Sequence, residues 1–143
     1  MVLRRLLNRA GVALLVTMTL GATPALADYA ADSNAIHNGP CTKQAGKRQV
    51  TLDITPRPVK HMQELTFKVT MAPAEGLPST LILDLSMPGM MMGKNQVTLK
   101  RQSDGAWEGA GVIVKCRSGR TLWQATILSP ELGNPAFTFN VRD

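Results

Sequence analysis

Short segments in which apolar and polar residues alternate recur along the chain from residue 50 onward. An apolar side chain at every second position is the pattern of a β-strand that packs one face on a core. Residues rich in proline, glycine, serine and asparagine separate these segments, and no segment keeps a helical period of useful length. The alternation predicts seven strands, formed by residues 50–54, 65–69, 81–85, 97–99, 107–114, 122–128 and 137–141.

Seven short antiparallel strands in a chain of this size predict an all-β fold, and specifically an immunoglobulin-like β-sandwich. We expect one domain over residues 49–143, because this length supports a single core. Residues 28–48 contain no periodic apolar pattern and predict an irregular N-terminal arm. Trp107 and Trp123 lie within two of the strands, where a buried indole in the core is the expected role.

The first 27 residues have the features of a secretory signal peptide. A basic start with Arg4, Arg5 and Arg9 precedes an apolar run over residues 10–20, and Ala25-Leu26-Ala27 has the small-x-small pattern that signal peptidase cuts. An apolar run of about 11 residues is shorter than the roughly 20 that a membrane span needs. We therefore predict a cleaved signal over residues 1–27, a periplasmic protein, and no stable membrane insertion after cleavage.

The charge balance argues against a nucleic-acid partner. The chain has 16 Lys and Arg against 10 Asp and Glu, and three of the arginines belong to the predicted signal peptide. The remaining excess of positive charge is small, and no run of basic residues provides the electrostatic footprint that nucleic acid requires.

The chain has two cysteines, Cys41 and Cys116. An even pair in an exported protein most often forms a disulfide, so we expect Cys41 to be joined to Cys116. Such a bond would fasten the N-terminal arm to the domain. In the competing interpretation both thiols are metal ligands, together with His37 or His61.

A methionine-rich turn is the most unusual part of the sequence. The methionine loop, residues 87–93, has the sequence MPGMMMG and holds four of the eight methionines of the chain. A thioether is a soft, uncharged donor that selects Cu(I) over hard cations, and one loop can direct several such sulfurs at one ion without burying charge. An imidazole would add a ligand that suits either oxidation state of copper. The predicted metal ligands are Met87, Met90, Met91, Met92, His61 and Met62.

Two other interpretations of the methionine loop stay open. Methionine fills irregular gaps well, so Met87 and one or two of its neighbours would plug the end of the core. Alternatively, the loop is a flexible docking surface, and the protein is a metal-free interaction module for a protein partner. For His61 alone, the simplest interpretation is a solvated side chain beside a strand.

No pattern in the sequence predicts an enzyme. Two histidines and two distant cysteines do not supply the closely spaced ligands of a zinc site. The chain also has no nucleophile-elbow signature, phosphate loop, dinucleotide fingerprint or calcium loop. We therefore predict no catalytic residues, and copper as the sole cofactor.

Three short motifs, in this order, resemble those of the YtkA-like/FixH-like exported domains, and the likeness covers about residues 49–143. The motifs are the methionine loop, DGAWEG at residues 104–109 and GRTLWQA at residues 119–125. The resemblance implies an immunoglobulin-like sandwich linked to copper handling or to heme-copper oxidase assembly. It also implies that Met87, Met90 and Met92 correspond to the family's methionines, whereas Met91 fills a position that is often acidic or polar in relatives. On this basis we expect Cu(I) to be passed to a protein partner.

Overall fold

The computed structural model describes residues 33–143. The predicted signal peptide, residues 1–27, and residues 28–32 of the predicted arm lie outside the described residues. Two short 3-10 helices, Ala35–His37 and Pro130–Leu132, accompany the strands, and no helix among the described residues is long and apolar enough to cross a membrane. The strands are β1 (Cys41–Ala45), β2 (Arg48–Thr55), β3 (Glu64–Ala72), β4 (Thr80–Ser86), β5 (Gln96–Arg101), β6 (Trp107–Val112), β7 (Leu122–Ile127) and β8 (Ala136–Asn140).

All eight strands belong to one antiparallel sheet with the order β1-β2-β3-β6-β5-β4-β7-β8. The sheet is nearly closed, since Lys43 on the first edge strand donates a hydrogen bond from Nζ to the carbonyl of Ala136 on the last. A parallel bridge between Lys60 and Arg142 adds a second link between the two sides. The all-β prediction is confirmed, but the number of strands is eight rather than seven.

The additional strand, β1, lies in the segment that was predicted to be an irregular arm. Its three middle residues are exposed and only Ala45 is buried, so it shows no alternating apolar pattern. A two-residue turn connects it to β2, and Ala45 pairs with Arg48. Gly46 has a φ of 60°, as the first loop position of a type II′ hairpin requires. The glycine is therefore the sequence feature that marks this hairpin.

One core fills the inside of the sheet. The alternating apolar residues of the seven predicted strands are buried in it. Both tryptophans are fully buried, as expected, and the indole nitrogen of Trp107 donates to the carbonyl of Pro78 at 2.9 Å.

Antiparallel succession places alternate connections at opposite ends of the sheet. We name one end the methionine end; its segments are residues 56–63, 87–95, 113–121 and 141–143. We name the other the far end; its connections are residues 46–47, 73–79, 102–106 and 128–135. His61 and the methionine loop therefore lie at the same end of the molecule, a placement that the alternation of the sequence did not determine.

Candidate functional site

The methionine loop begins with a tight turn. The amide of Met90 donates to the carbonyl of Met87 at 3.1 Å, and Gly89 has a φ of 76°. Proline at the second position and a glycine with positive φ at the third are the signature of a type II turn. Such a turn keeps the Cα atoms of its first and last residues within about 7 Å. The MPGM sequence thus brings the backbones of Met87 and Met90 together.

The four methionines of the loop differ in their exposure. Met87 is 3% exposed and belongs to the core, whereas Met91 is 103% exposed and extends into solvent. Met90 and Met92 are half-buried and pack against the edge of the core. Of the four methionines in the loop, three thus contact the protein interior at this end and one does not.

The pairing of β4 with β7 determines what lies beside Met87. Ser86 pairs with Gln124. The next position in this antiparallel register places Met87 opposite Trp123. Both side chains are buried. Met87 and the indole of Trp123 therefore occupy the same layer of the core, directly beneath the methionine loop.

His61 is buried and is not the solvated side chain that its simplest interpretation expects. Its side chain is 4% exposed, and its ring meets that of Trp123 edge-on, with 6.4 Å between the centroids. Its amide donates to the carbonyl of Arg142 at 2.9 Å. The next residue, Met62, has a positive φ of 54° and is 68% exposed. The imidazole of His61 is therefore buried, whereas the thioether of the adjacent Met62 is exposed.

The two ring nitrogens of His61 have different surroundings. Nδ1 lies 3.3 Å from a carboxylate oxygen of Asp143. An ionised carboxylate only accepts, so Nδ1 is the donor in this contact, and whenever the ring is neutral the lone pair is on Nε2. Within the described residues, Nε2 of His61 and Nε1 of Trp123 are buried without a hydrogen-bond partner. Buried polar atoms without partners are rare in proteins, and one explanation is an ion or a water at the position.

Asp143 contacts Lys115 as well as His61. Lys115 lies 2.8 Å from the same carboxylate oxygen that faces His61. The hydrogen bond and charge of Lys115, followed by the contact with His61, lower the pKa of Asp143. The carboxylate that orients the imidazole is therefore itself held by a lysine.

Cys116 lies beside the methionine loop. The hydroxyl of Ser118 is 3.1 Å from the sulfur of Cys116 and 4.0 Å from the sulfur of Met90. The hydrogen bonds from the side chain and then the backbone of Ser118, with the charge of Arg120, lower the pKa of the Cys116 thiol. A soft sulfur donor that was not among the predicted copper ligands is thus next to one that was.

The expected disulfide is not formed in the structure, where Cys41 and Cys116 are both thiols. Cys41 is on the edge strand β1, and its sulfur lies 4.0 Å from the carbonyl of Gly39. Cys116 faces Ser118 and the methionine loop from the β6–β7 connection.

The competing thiol site also lacks one of its imidazoles. His37 receives a hydrogen bond from the amide of Val59 at Nδ1, and its Nε2 lies 2.8 Å from the carbonyl of Asn140. Both nitrogens of His37 are thus engaged with the backbone and hold the N-terminal 3-10 helix to the sheet. Among residues 33–143, no group of three or more His, Cys, Asp and Glu side chains is placed to hold a metal ion.

Sequence reasoning missed three neighbours of the predicted ligands, namely Asp143, Trp123 and Ser118, and it considered Cys116 as a ligand only in the competing thiol site. Each comes from a segment distant in sequence from the residue it contacts, and no spacing rule connects them. Comparisons with protein-family models, curated proteins and solved structures found no match. The likeness to the YtkA-like/FixH-like domains therefore stays a prediction from the three motifs.

Proposed function

We propose that the protein is a periplasmic copper-binding domain that holds one Cu(I) ion at the methionine end and passes it to a protein partner. One observation carries the proposal: a buried imidazole nitrogen without a partner lies at the same end of the sheet as the methionine loop. The three motifs that resemble YtkA-like/FixH-like domains favour the same role. In this proposal residues 1–27 are a cleaved signal, and the sheet is a variant of the family's immunoglobulin-like sandwich.

The sulfur donors are the methionines that contact the interior at this end. Met90 and Met92 are half-buried, so an ion between them would be reachable from solvent, and Met87 lies below them in the core. Thioethers carry no charge, and Cu(I) is a soft monovalent cation. Binding among these sulfurs would thus avoid the cost of burying unpaired carboxylates.

His61 supplies the nitrogen donor. Metal-binding histidines usually donate their second N–H to a carboxylate or carbonyl, which fixes the tautomer and the ring orientation. The contact of Asp143 with Nδ1 has this form, and it leaves the lone pair of Nε2 available. Asp143 is thus a positioning residue in this proposal, and Lys115 pairs with the same carboxylate.

Transfer to a partner proceeds by ligand exchange. Met91 and Met62 are exposed at the methionine end and are not needed to hold the ion. A donor from the partner would add to the metal before Met90 or Met92 leaves, so the ion is never without sulfur ligands.

The first test concerns the methionines. Titration of the purified protein with Cu(I), without oxygen and against a competing chelator, should give about one equivalent bound. Changing Met87, Met90 and Met92 together to leucine keeps the side-chain volume and removes the sulfurs. We expect this variant to lose specific binding, because uncharged apolar side chains offer no donor.

Two matched variants control for the loss of methionine as such. Met71→Leu changes a buried methionine near the far end of the sheet, and Met91→Leu changes the exposed methionine of the loop. Both should bind copper as the original protein does. If the triple variant keeps the original affinity, the methionine loop does not form the site.

The second test concerns the imidazole. His61→Phe keeps a ring against Trp123 but removes both nitrogens, and should weaken Cu(I) binding by about 100-fold or more, since a ligand is lost. Asp143→Asn should weaken it by about tenfold, the range seen when an outer partner of a ligand is changed. Affinities come from the same chelator competition. Equal affinity in His61→Phe would place the ion among sulfurs alone.

The exposure of Met91 and Met62 favours a second candidate function, a metal-free interaction module. Methionine side chains are flexible and adapt to different partner surfaces. This candidate predicts that Cu(I) neither binds specifically nor raises the melting temperature, whereas a ligand that binds only the folded state must raise it. A thermal melt with and without Cu(I) separates the two.

A further inference from the structure

The methionine end carries most of the exposed large apolar side chains. Six such side chains are exposed among the described residues, and only Leu128 belongs to the far end. The other five are Met62, Met91, Val112, Val114 and Leu122. Met62, Met91 and Val114 belong to three connections of this end, and Val112 and Leu122 are the strand residues that flank the third connection. The fold thus places at one end residues that the sequence separates. Exposed apolar groups gathered in this way are typical of interaction sites.

Cations surround these apolar side chains. The segments of the methionine end contain Asp143 as their only Asp or Glu, and the exposed Glu64 of β3 lies just outside them, opposite Val112. The same segments contain seven exposed basic residues: Arg57, Lys60, Lys94, Lys115, Arg117, Arg120 and Arg142. Ion pairs engage Arg57 with Asp53 and Lys115 with Asp143. The other five basic residues make no salt bridge with another described residue.

The far end is closer to charge balance. Its three longer connections contain Glu75, Asp104 and Glu131 and no Lys or Arg, and the β1–β2 turn adds Lys47. Three basic residues of the adjoining strands contact these connections, namely Arg48, Lys68 and Arg101. The modest net charge of the chain is therefore distributed unevenly along the axis of the sheet. A field of one sign at one end steers and orients a partner of opposite charge.

We propose that the methionine end is a docking surface for an acidic region of a partner protein. The exposed methionine, valine and leucine side chains form its apolar centre, and the basic residues form a rim that pairs with carboxylates of the partner. An apolar centre with a charged rim is the usual anatomy of a protein–protein interface, and complementary charge gives it specificity and a fast encounter.

A protein fits this surface better than a membrane or a nucleic acid. Membrane interfaces favour exposed tryptophan and tyrosine, and single-stranded nucleic acids stack on exposed aromatic rings. Every Phe and Trp among the described residues is buried; they are Phe67, Trp107, Trp123, Phe137 and Phe139. The exposed groups are instead flexible thioethers and aliphatic side chains, which suit a protein surface.

The docking surface stands on exposure and charge, whereas its use in copper transfer rests on the proposed function. Met90 and Met92 lie within the surface, beside the exposed Met91. A partner seated on it would bring its own donors next to the sulfurs that hold the ion. Docking and ligand exchange would thus occur at one place.

The test uses metal-free, isotope-labelled protein and synthetic peptides as probes. The main probe alternates glutamate with leucine and methionine. One control peptide has lysine in place of each glutamate, and the other has serine in place of each apolar residue. We expect the main probe to shift amide resonances of residues 56–63, 87–95 and 113–121, and both controls to bind at least about tenfold more weakly. Added salt should weaken the binding of the main probe, because salt screens the attraction between exposed charges.

Two double variants remove equal charge from different places. Arg117→Gln with Arg120→Gln changes the rim, and Lys47→Gln with Lys100→Gln changes exposed lysines outside it. The rim variant should bind the main probe about three- to tenfold more weakly, as expected for loss of two rim charges, and the second should bind it unchanged.

Several results would overturn the proposal. These are no binding of the main probe, shifts centred on the far end, equal effects of the two double variants, or tighter binding of anionic phospholipid vesicles or an oligothymidylate than of the peptide. Because no copper is present, the result is separate from the Cu(I) titrations. Loss of metal binding would leave a positive docking result standing, and the reverse also holds.

Discussion

At the scale of single residues, Ser118 connects a cysteine to the methionine loop. Its hydroxyl contacts both Cys116 and Met90, and its hydrogen bonds, with the charge of Arg120, lower the pKa of the thiol. A thiol with a lowered pKa has a larger thiolate fraction at neutral pH, and the thiolate is the form that reacts and binds soft metals. The position of Cys116 therefore makes it a chemically active neighbour of the candidate site.

This contact predicts the pH dependence of alkylation at Cys116. Ser118→Ala removes the largest cause of the lowered pKa, so the midpoint of the rate of alkylation by iodoacetamide should move to higher pH. The measurement uses a Cys41→Ser background, in which Cys116 is the only thiol, and reads the adduct by intact mass. Ser103→Ala, at an exposed serine of the far end, should leave the midpoint unchanged. An unchanged midpoint in Ser118→Ala would mean that Ser118 does not act on the thiol.

The same mass measurement examines the disulfide that the sequence favoured. In the original protein Cys116 should be alkylated, since the structure shows no disulfide between it and Cys41. A mass about two hydrogens lower, with no adduct, would show instead that Cys41 and Cys116 are joined. The count of cysteines could suggest a pairing but not the position of either sulfur, which depends on how the β6–β7 connection crosses the methionine end.

At the scale of elements, the β5–β6 turn is tied to β3 by one carboxylate. Asp104 accepts a hydrogen bond from the amide of Ala106 at 3.0 Å and another from Lys68 at 3.0 Å. These bonds, with that of Ala106 first, lower the pKa of Asp104, and the hydrogen bond to Asp104 raises the pKa of Lys68. An aspartate that bonds to an amide two residues ahead is a recurrent means of forming a turn.

These shifts predict how stability varies with pH. The folded state lowers the pKa of Asp104, so its contribution is present above the unfolded pKa and is lost as the pH falls through the folded pKa. Asp104→Asn should therefore be less stable than the original protein at about pH 7, and as stable at about pH 2. The folded state raises the pKa of Lys68. The stability that this contact contributes is therefore also lost at high pH, as the pH rises through the pKa of Lys68 in the folded state.

Urea unfolding at both pH values measures the effect of Asp104→Asn. The change should be small, because both side chains of the ion pair are exposed. Glu131→Gln removes a carboxylate from another connection of the far end and should show no pH-dependent difference. A deficit in Asp104→Asn that persists at the acidic pH would mean that the asparagine perturbs the turn by another route.

The elements also show which strands could be predicted. Seven were predicted because each buries alternate side chains, and alternation is written in the sequence. β1 was not, because it is an edge strand whose residues Thr42 to Gln44 are exposed and polar. Its pairing depends on backbone hydrogen bonds and on the turn at Gly46, and neither leaves a hydrophobic period.

At the scale of the whole molecule, the fold brings together residues that the sequence keeps apart. The methionine loop and His61 were predicted as separate features, and thioether chemistry was sufficient to select the loop. Their shared end, and the contacts of His61 with Trp123 and Asp143, depend on the antiparallel order of the strands and on the backbone bonds of residues 141–142. No local pattern specifies these.

The fold also brings together charged residues that the sequence keeps apart. The sequence has no basic run, and its modest net charge gave no reason to expect a charged surface. The fold collects basic residues from four separate segments at the methionine end and leaves acidic residues in the longer connections of the far end. The net charge of the chain thus does not reveal how the charged residues are distributed over the surface of the fold.

The location of both ends of the described chain has a practical consequence for the copper experiments. The carbonyl of Ser33 accepts a hydrogen bond from the amide of Asn140 at 2.7 Å, so both ends of the described chain lie at the methionine end, and Asp143 contacts His61, one of the candidate ligands. A polyhistidine purification handle attached after Asp143 would itself bind copper within reach of them. A handle inserted in the exposed turn around Gly133 and Asn134 would project from the opposite side, where such turns best tolerate insertion.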